Sequence, residues 1–166
     1  MPASARPAAP SASQGKVKEP LLRLTQLWRA YNAKAANGQY RIGNINAAFG
    51  QGPLQSPSVF NFFSPFYAPP GEIADQGLVA PELQLATEYL NTTVTNTFYN
   101  TIFFRNSTSA NVPPEGVVID ITQEVALAAD SEALVNRIAE KRLGGQISPT
   151  LKTEANLEVA GRRMRE

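Results

Sequence analysis

The chain has 166 residues, 43% of them apolar and 17% charged, with a net charge of +1 and thirteen prolines. That length suits one domain with its own core, and so small a net charge supplies no field to draw in nucleic acid or an anionic membrane. There is no cysteine and no histidine, which excludes thiol nucleophiles, disulfides, the usual structural zinc sites and any Ser-His or Cys-His triad within the chain, and leaves carboxylates, Tyr and Lys as its chemistry.

The opening "MPASARPAAPSASQGKVKEP" is rich in Ala, Pro and Ser and lacks the apolar stretch of a signal peptide. Residues 1–18 are therefore expected to form a disordered lead-in or linker, and 19–166 a helical region. No apolar run approaches the roughly 18–20 residues that span a bilayer. A first helix is predicted from Pro20, whose missing N–H suits an early helical position. Leu24, Leu27, Trp28, Tyr31 and Ala35 form its apolar stripe, and Asn37-Gly38 supplies the stop.

Residues 38–81 show no sustained period and admit at most one short helix, around Ser58 to Phe62. The stretch "FNFFSPFYAPPGE" gathers Phe60, Phe62, Phe63, Phe66 and Tyr67 where prolines and glycine forbid a regular helix. Disordered segments lack aromatics, so a long ordered loop is expected. Two readings follow. Phe60, Phe63 and Phe66 can fill the gap between the Trp28 helix and the next long helix, which burial at roughly 1.5–3 kcal/mol per ring favours. Alternatively, Phe60, Phe63, Phe66 and Tyr67 form an outward platform for a ligand.

The longest helix is predicted over 81–104, with Leu83, Ala86, Leu90, Val94, Phe98 and Ile102 at mostly four-residue steps and Glu82 set against the helix dipole. "GVVIDIT" reads as a β-favouring run, Val117 to Ile121, with no evident partner strand. "QEVALAA" is a short helix that Thr122 is placed to cap. Then comes a helix capped by Asp130 or Ser131, with Leu134, Val135, Ile138 and Leu143 on one side and Gly144 as its stop. A last helix starts at Ser148-Pro149, and "GGQI" joins the two into a hairpin. The fold class is all-α: a helical bundle with a long ordered loop and a C-terminal helix hairpin.

Glu72, Asp75 and Glu82 beside the aromatic loop are the candidate catalytic carboxylates, yet their spacing matches no paired-carboxylate or calcium pattern. Glu82 is expected to cap its own helix and Glu72 to bond nearby backbone. "GGQISPT" lacks the strand and Lys-Ser/Thr ending of a phosphate loop. No motif calls for a metal or cofactor. Asn91-Thr92-Thr93 and Asn106-Ser107-Thr108 match the glycosylation pattern, which is common by chance.

The segments "GKVKEPLLRLTQLWRAY", "AFGQGPLQSPSVFNFFSPFYAPPGE" and "GLVAPELQLATEY", and less strongly "ALVNRIAEKRLGGQISPTL", resemble the C-terminal part of the DUF1800 family, bacterial proteins of unknown function. The resemblance implies a mostly helical C-terminal fragment of a longer, exported protein. It also implies two partners, the missing N-terminal region of the parent and a DUF1501-like protein. No catalytic residues are established for that family to carry over. The expected role is a non-catalytic structural or interaction portion; the alternative is a fragment of an extracellular polymer-acting hydrolase whose carboxylates complete a site with the missing region.

Overall fold

A computed structural model describes residues 17–110, 112 and 116–163, so most of the expected lead-in lies outside the described residues. The order is α1 (Pro20–Ala30), β1 (Lys34–Ala35), α2 (Ile45–Phe49), α3 (Glu72–Asp75), a 3-10 turn (Pro81–Leu85), α4 (Glu88–Phe104), β2 (Val117–Val118), α5 (Thr122–Ala126), α6 (Ser131–Leu143) and α7 (Pro149–Arg163). The chain is mainly helical. It is not strictly all-α, because β1 and β2 pair antiparallel, Lys34 with Val118 and Ala35 with Val117. The Val run thus has a partner, which lies where the first helix was expected to continue.

That helix ends early for the same reason. Tyr31 closes α1, Asn32 turns into the left-handed region at φ 45°, and Ala33 N–H bonds the Trp28 carbonyl at 2.8 Å. The chain is then extended for pairing, and Asn37-Gly38 marks the next turn instead. The long helix is also divided: its first residues wind as the 3-10 turn, and Thr87 starts α4 by accepting the Leu90 N–H at 3.2 Å.

Phe49 is fully buried at the centre of the core, with Leu24, Leu27 and Tyr31 of α1, Val94 of α4 and Ile119. It meets Phe98 edge to face at 6.4 Å. The gap between α1 and α4 is therefore filled from α2. Asn44 caps α2 by accepting the Ala47 N–H at 3.0 Å, and Gly50, left-handed at φ 66°, ends it. A Cβ on Gly50 would lie 2.7 Å from Leu90 Cδ1, so α2 and α4 approach closely there.

On α4 the inward stripe runs through Leu90 and Phe98, both half-buried, and Val94 and Thr101, both buried, leaving Ile102 exposed. Strict four-residue steps drift by about 40° each on a helix of 3.6 residues per turn, so Ile102 has rotated out of the face and Thr101 has rotated in. The threonines on this side are satisfied locally: Thr97 and Thr101 donate to carbonyls four residues back, and Thr93 reaches Ala48 O across the interface at 3.2 Å.

Asp130 caps α6 and the left-handed Gly144 ends it, and Ser148 Oγ accepts the Leu151 N–H at the start of α7. The two helices pack together, and α6 also packs on α1. Inward positions of α6 are Val135 and Ala139; Ile138 and Leu143, expected beside them, are exposed. At α5 the capping group is Asp120 and not Thr122, because Asp120 Oδ1 accepts both the N–H and the hydroxyl of Thr122. These bonds, the side-chain one first, hold Asp120 below the usual carboxylate range.

Candidate functional site

The loop between α2 and α4 does not supply the core, which corrects the expected burial of its rings. Phe60 is 65% and Phe66 82% exposed. Phe63 and Tyr67 are half-buried. The physical reason is competition for one gap: Phe49 and Phe98 already occupy the junction of α1 and α4. Short-range polar bonds shape the loop. Ser58 Oγ accepts the Phe60 N–H at 3.1 Å and Asn61 turns at φ 75°, which replaces the short helix expected there with a turn. Ser64 N–H donates to Gln84 Oε1 at 2.7 Å, and Ala80 N–H donates to the Tyr67 carbonyl at 2.8 Å. The loop is thereby strapped to the 3-10 turn, with its two most exposed rings held off the core. A second exposed aromatic group stands at the end of α4, where Tyr99 packs on Phe103 at 4.6 Å and on Phe104 at 5.9 Å.

The candidate carboxylates are not brought to one place. Glu72 and Asp75 are exposed on the single turn of α3, and Glu72 accepts from the Gln76 side chain at 3.1 Å instead of from backbone. Glu82 lies in the first turn of the 3-10 turn, where an acidic side chain suits the helix dipole. It lines a cavity of about 150 Å³ with Lys18, Arg23, Leu85, Leu90 and Val94, and neither Glu72 nor Asp75 borders that cavity. Among the described residues no three carboxylates gather as a metal site would require. None of the described helices is long and apolar enough to cross a membrane.

Among the described residues, the carboxylate most embedded in the protein is one the sequence did not single out. Glu124 on α5 is buried and accepts from Arg137 Nε at 2.6 Å and Lys141 Nζ at 2.9 Å, both on α6. Burial pushes its pKa up, but the bonds from Lys141 and Arg137 outweigh that and hold it below the ordinary value. The Lys141 ammonium also sits 4.4 Å from the centre of the Tyr31 ring. With both cations engaged, this cluster ties α5, α6 and α1 together. Asn106, in the second glycosylation pattern, is buried, donates to Ile102 O at 2.6 Å and accepts from Thr108 N–H and hydroxyl. It is a structural knot, and its amide is in use.

The family signature spans α1, the aromatic loop, the 3-10 turn and the α6–α7 pair, and the full chain matches the family described as "Protein of unknown function (DUF1800)" over residues 3–164. The chain belongs to the DUF1800 family. No curated protein and no solved structure matches it significantly. In this DUF1800 chain the most distinctive motif, "FNFFSPFYAPPGE", is the segment that presents rings outward.

Proposed function

We propose that this chain is a non-catalytic interaction region of an exported bacterial DUF1800 protein, and that Phe60 and Phe66 dock another polypeptide. The observation that carries the reading is the exposure of those two rings, 65% and 82%, on a loop pinned to the 3-10 turn by the Ser64–Gln84 and Tyr67–Ala80 bonds. Rings held outward by polar bonds match the aromatic anchors that dominate protein interfaces, and neighbouring exposed Val59 and Leu54 enlarge the apolar surface. The partner is a further part of a longer DUF1800 parent or a DUF1501-like companion. Dispersal of Glu72, Asp75 and Glu82 gives the hydrolase alternative no support.

The test is co-purification of the tagged chain with each of these two polypeptides, for the native sequence and for a Phe60→Ser, Phe66→Ser double variant. Capture of one partner, lost in the double variant while its far-UV circular dichroism is unchanged, is the expected result. Capture that survives the double substitution, or no capture of either partner, removes the proposal.

A further inference from the structure

The side of α4 turned away from the core carries a second pattern. Tyr89, Thr92, Asn96, Tyr99 and Phe103 are all exposed and follow one another at alternating steps of three and four, the spacing that lines one face of a helix and packs it against another helix. Among the residues of α4 only Glu88 is charged, and it precedes the stripe. Surface helices ordinarily turn charge to solvent, as α6 does with Glu132 and α7 with Glu154. Thr92 gives its hydroxyl proton to the Glu88 carbonyl at 3.0 Å, which leaves the stripe less polar still.

Area, charge and register all fit a second copy of the chain as the occupant. Tyr89, Tyr99, Phe103 and Phe104 are between 52% and 62% exposed, and Tyr99 packs on both phenylalanines. At about 200 Å² for each aromatic residue, roughly 450 Å² stays uncovered on one copy. With Thr92 and Asn96 added, a symmetric contact buries about 1,000 Å² in all, the lower bound for a specific interface. The stripe holds no charge to repel its own copy. Asn96 lies midway between Tyr89 and Phe103, and its amide both donates and accepts, so it can pair with itself across a two-fold axis. When two copies of α4 lie antiparallel about Asn96, Tyr89 of each meets Phe103 of the other, and Glu88 at one end meets Arg105, the residue that closes the helix at the other end. Parallel alignment sets Glu88 against Glu88 and Arg105 against Arg105, so charge selects the antiparallel pair.

We propose that the outward face of α4 is a homodimer interface, formed with an antiparallel second copy of α4 through Tyr89, Asn96, Tyr99 and Phe103 and closed at its ends by Glu88 and Arg105. The proposal is independent of the docking surface, which lies on the aromatic loop.

Sedimentation velocity of the full chain at roughly 1–100 μM tests it, the range suited to an interface of this area. A monomer–dimer equilibrium is expected. Substituting Tyr99→Ser and Phe103→Ser together should weaken the dimer about tenfold or more, with the far-UV circular dichroism unchanged because both rings are exposed. The Phe60→Ser, Phe66→Ser double variant should dimerise as the native chain does, which separates this contact from the docking loop. At low salt, Glu88→Arg should weaken the dimer several-fold by opposing two cations at each end, and adding Arg105→Glu should restore it. A monomer throughout, which leaves the face to a different polypeptide, overturns the proposal. So does a dimer that the Tyr99 and Phe103 substitutions do not weaken, or one indifferent to Glu88→Arg.

Discussion

The side-chain oxygen of Gln51 accepts the backbone N–H of Leu21 at 3.1 Å, and its NH2 donates to Glu19 Oε2 at 2.5 Å. Helix α1 has no side-chain cap from its own flank, so a buried residue just past α2 satisfies its first turn. Gln51→Ala removes that cap and orphans a backbone donor. The expected loss is about 1–2 kcal/mol. Thermal melts followed by circular dichroism should show it, since 1 kcal/mol lowers Tm by about 2–4 °C in a chain of this size. An unchanged Tm would mean that water replaces Gln51 without cost.

Glycine positions separate backbone strain from steric conflict. Gly50 and Gly144 are both left-handed, at φ 66° and 61°. A Cβ at Gly144 meets nothing within 4 Å, whereas one at Gly50 runs into Leu90. Gly144→Ala should cost about 1–2 kcal/mol, the price of the left-handed backbone alone. Gly50→Ala should cost clearly more, and urea denaturation of the two variants compares them directly.

The aromatic residues should divide sharply by burial. Phe49→Ala empties the centre of the core and is expected to cost about 3–5 kcal/mol. Phe60→Ser and Phe66→Ser each remove an exposed ring and should stay within about 0.5 kcal/mol of the native chain. Urea midpoints at constant m-value are the measurement. A large loss at Phe60 or Phe66 would mean that the ring supports the fold.

Acid stability should depend on Glu124. Its pKa is lower in the folded chain than the ordinary glutamate value of about 4.3. The folded state thus favours the carboxylate, and the contribution is fully present above the unfolded pKa. It is lost as pH falls through the lower folded value. In melts recorded from neutral pH downward, the native chain should lose stability below the ordinary glutamate pKa more steeply than Glu124→Gln. Parallel curves for the two would place the acid sensitivity in other carboxylates.

Much of the fold was legible where its signals are local. Pro20 starts α1, Asp130 and Gly144 bound α6, and Ser148-Pro149 opens α7, because caps and left-handed glycines act within a few residues. Helix α2 carried the same kind of signal in Asn44 and Gly50, but five residues are too few to show a period. Other features depend on distant partners. The pairing of Lys34–Ala35 with Val117–Val118 ends α1 early, and nothing near residue 34 encodes it. The direction of the rings in "FNFFSPFYAPPGE" was equally hidden, because it depends on which phenylalanine wins the one gap between α1 and α4. Hydropathy cannot rank Phe49 above Phe60.

The bond from Ala80 N–H to the Tyr67 carbonyl has one more consequence. It brings the two ends of the excursion through Pro69, Pro70 and α3 together, so that what lies between them is anchored at its base. Lengthening such a closed excursion adds only about 0.6 kcal/mol of closure entropy per doubling. Residues 68–79 are therefore a segment where this chain should tolerate insertion or deletion while the rings before it and the 3-10 turn after it keep their places.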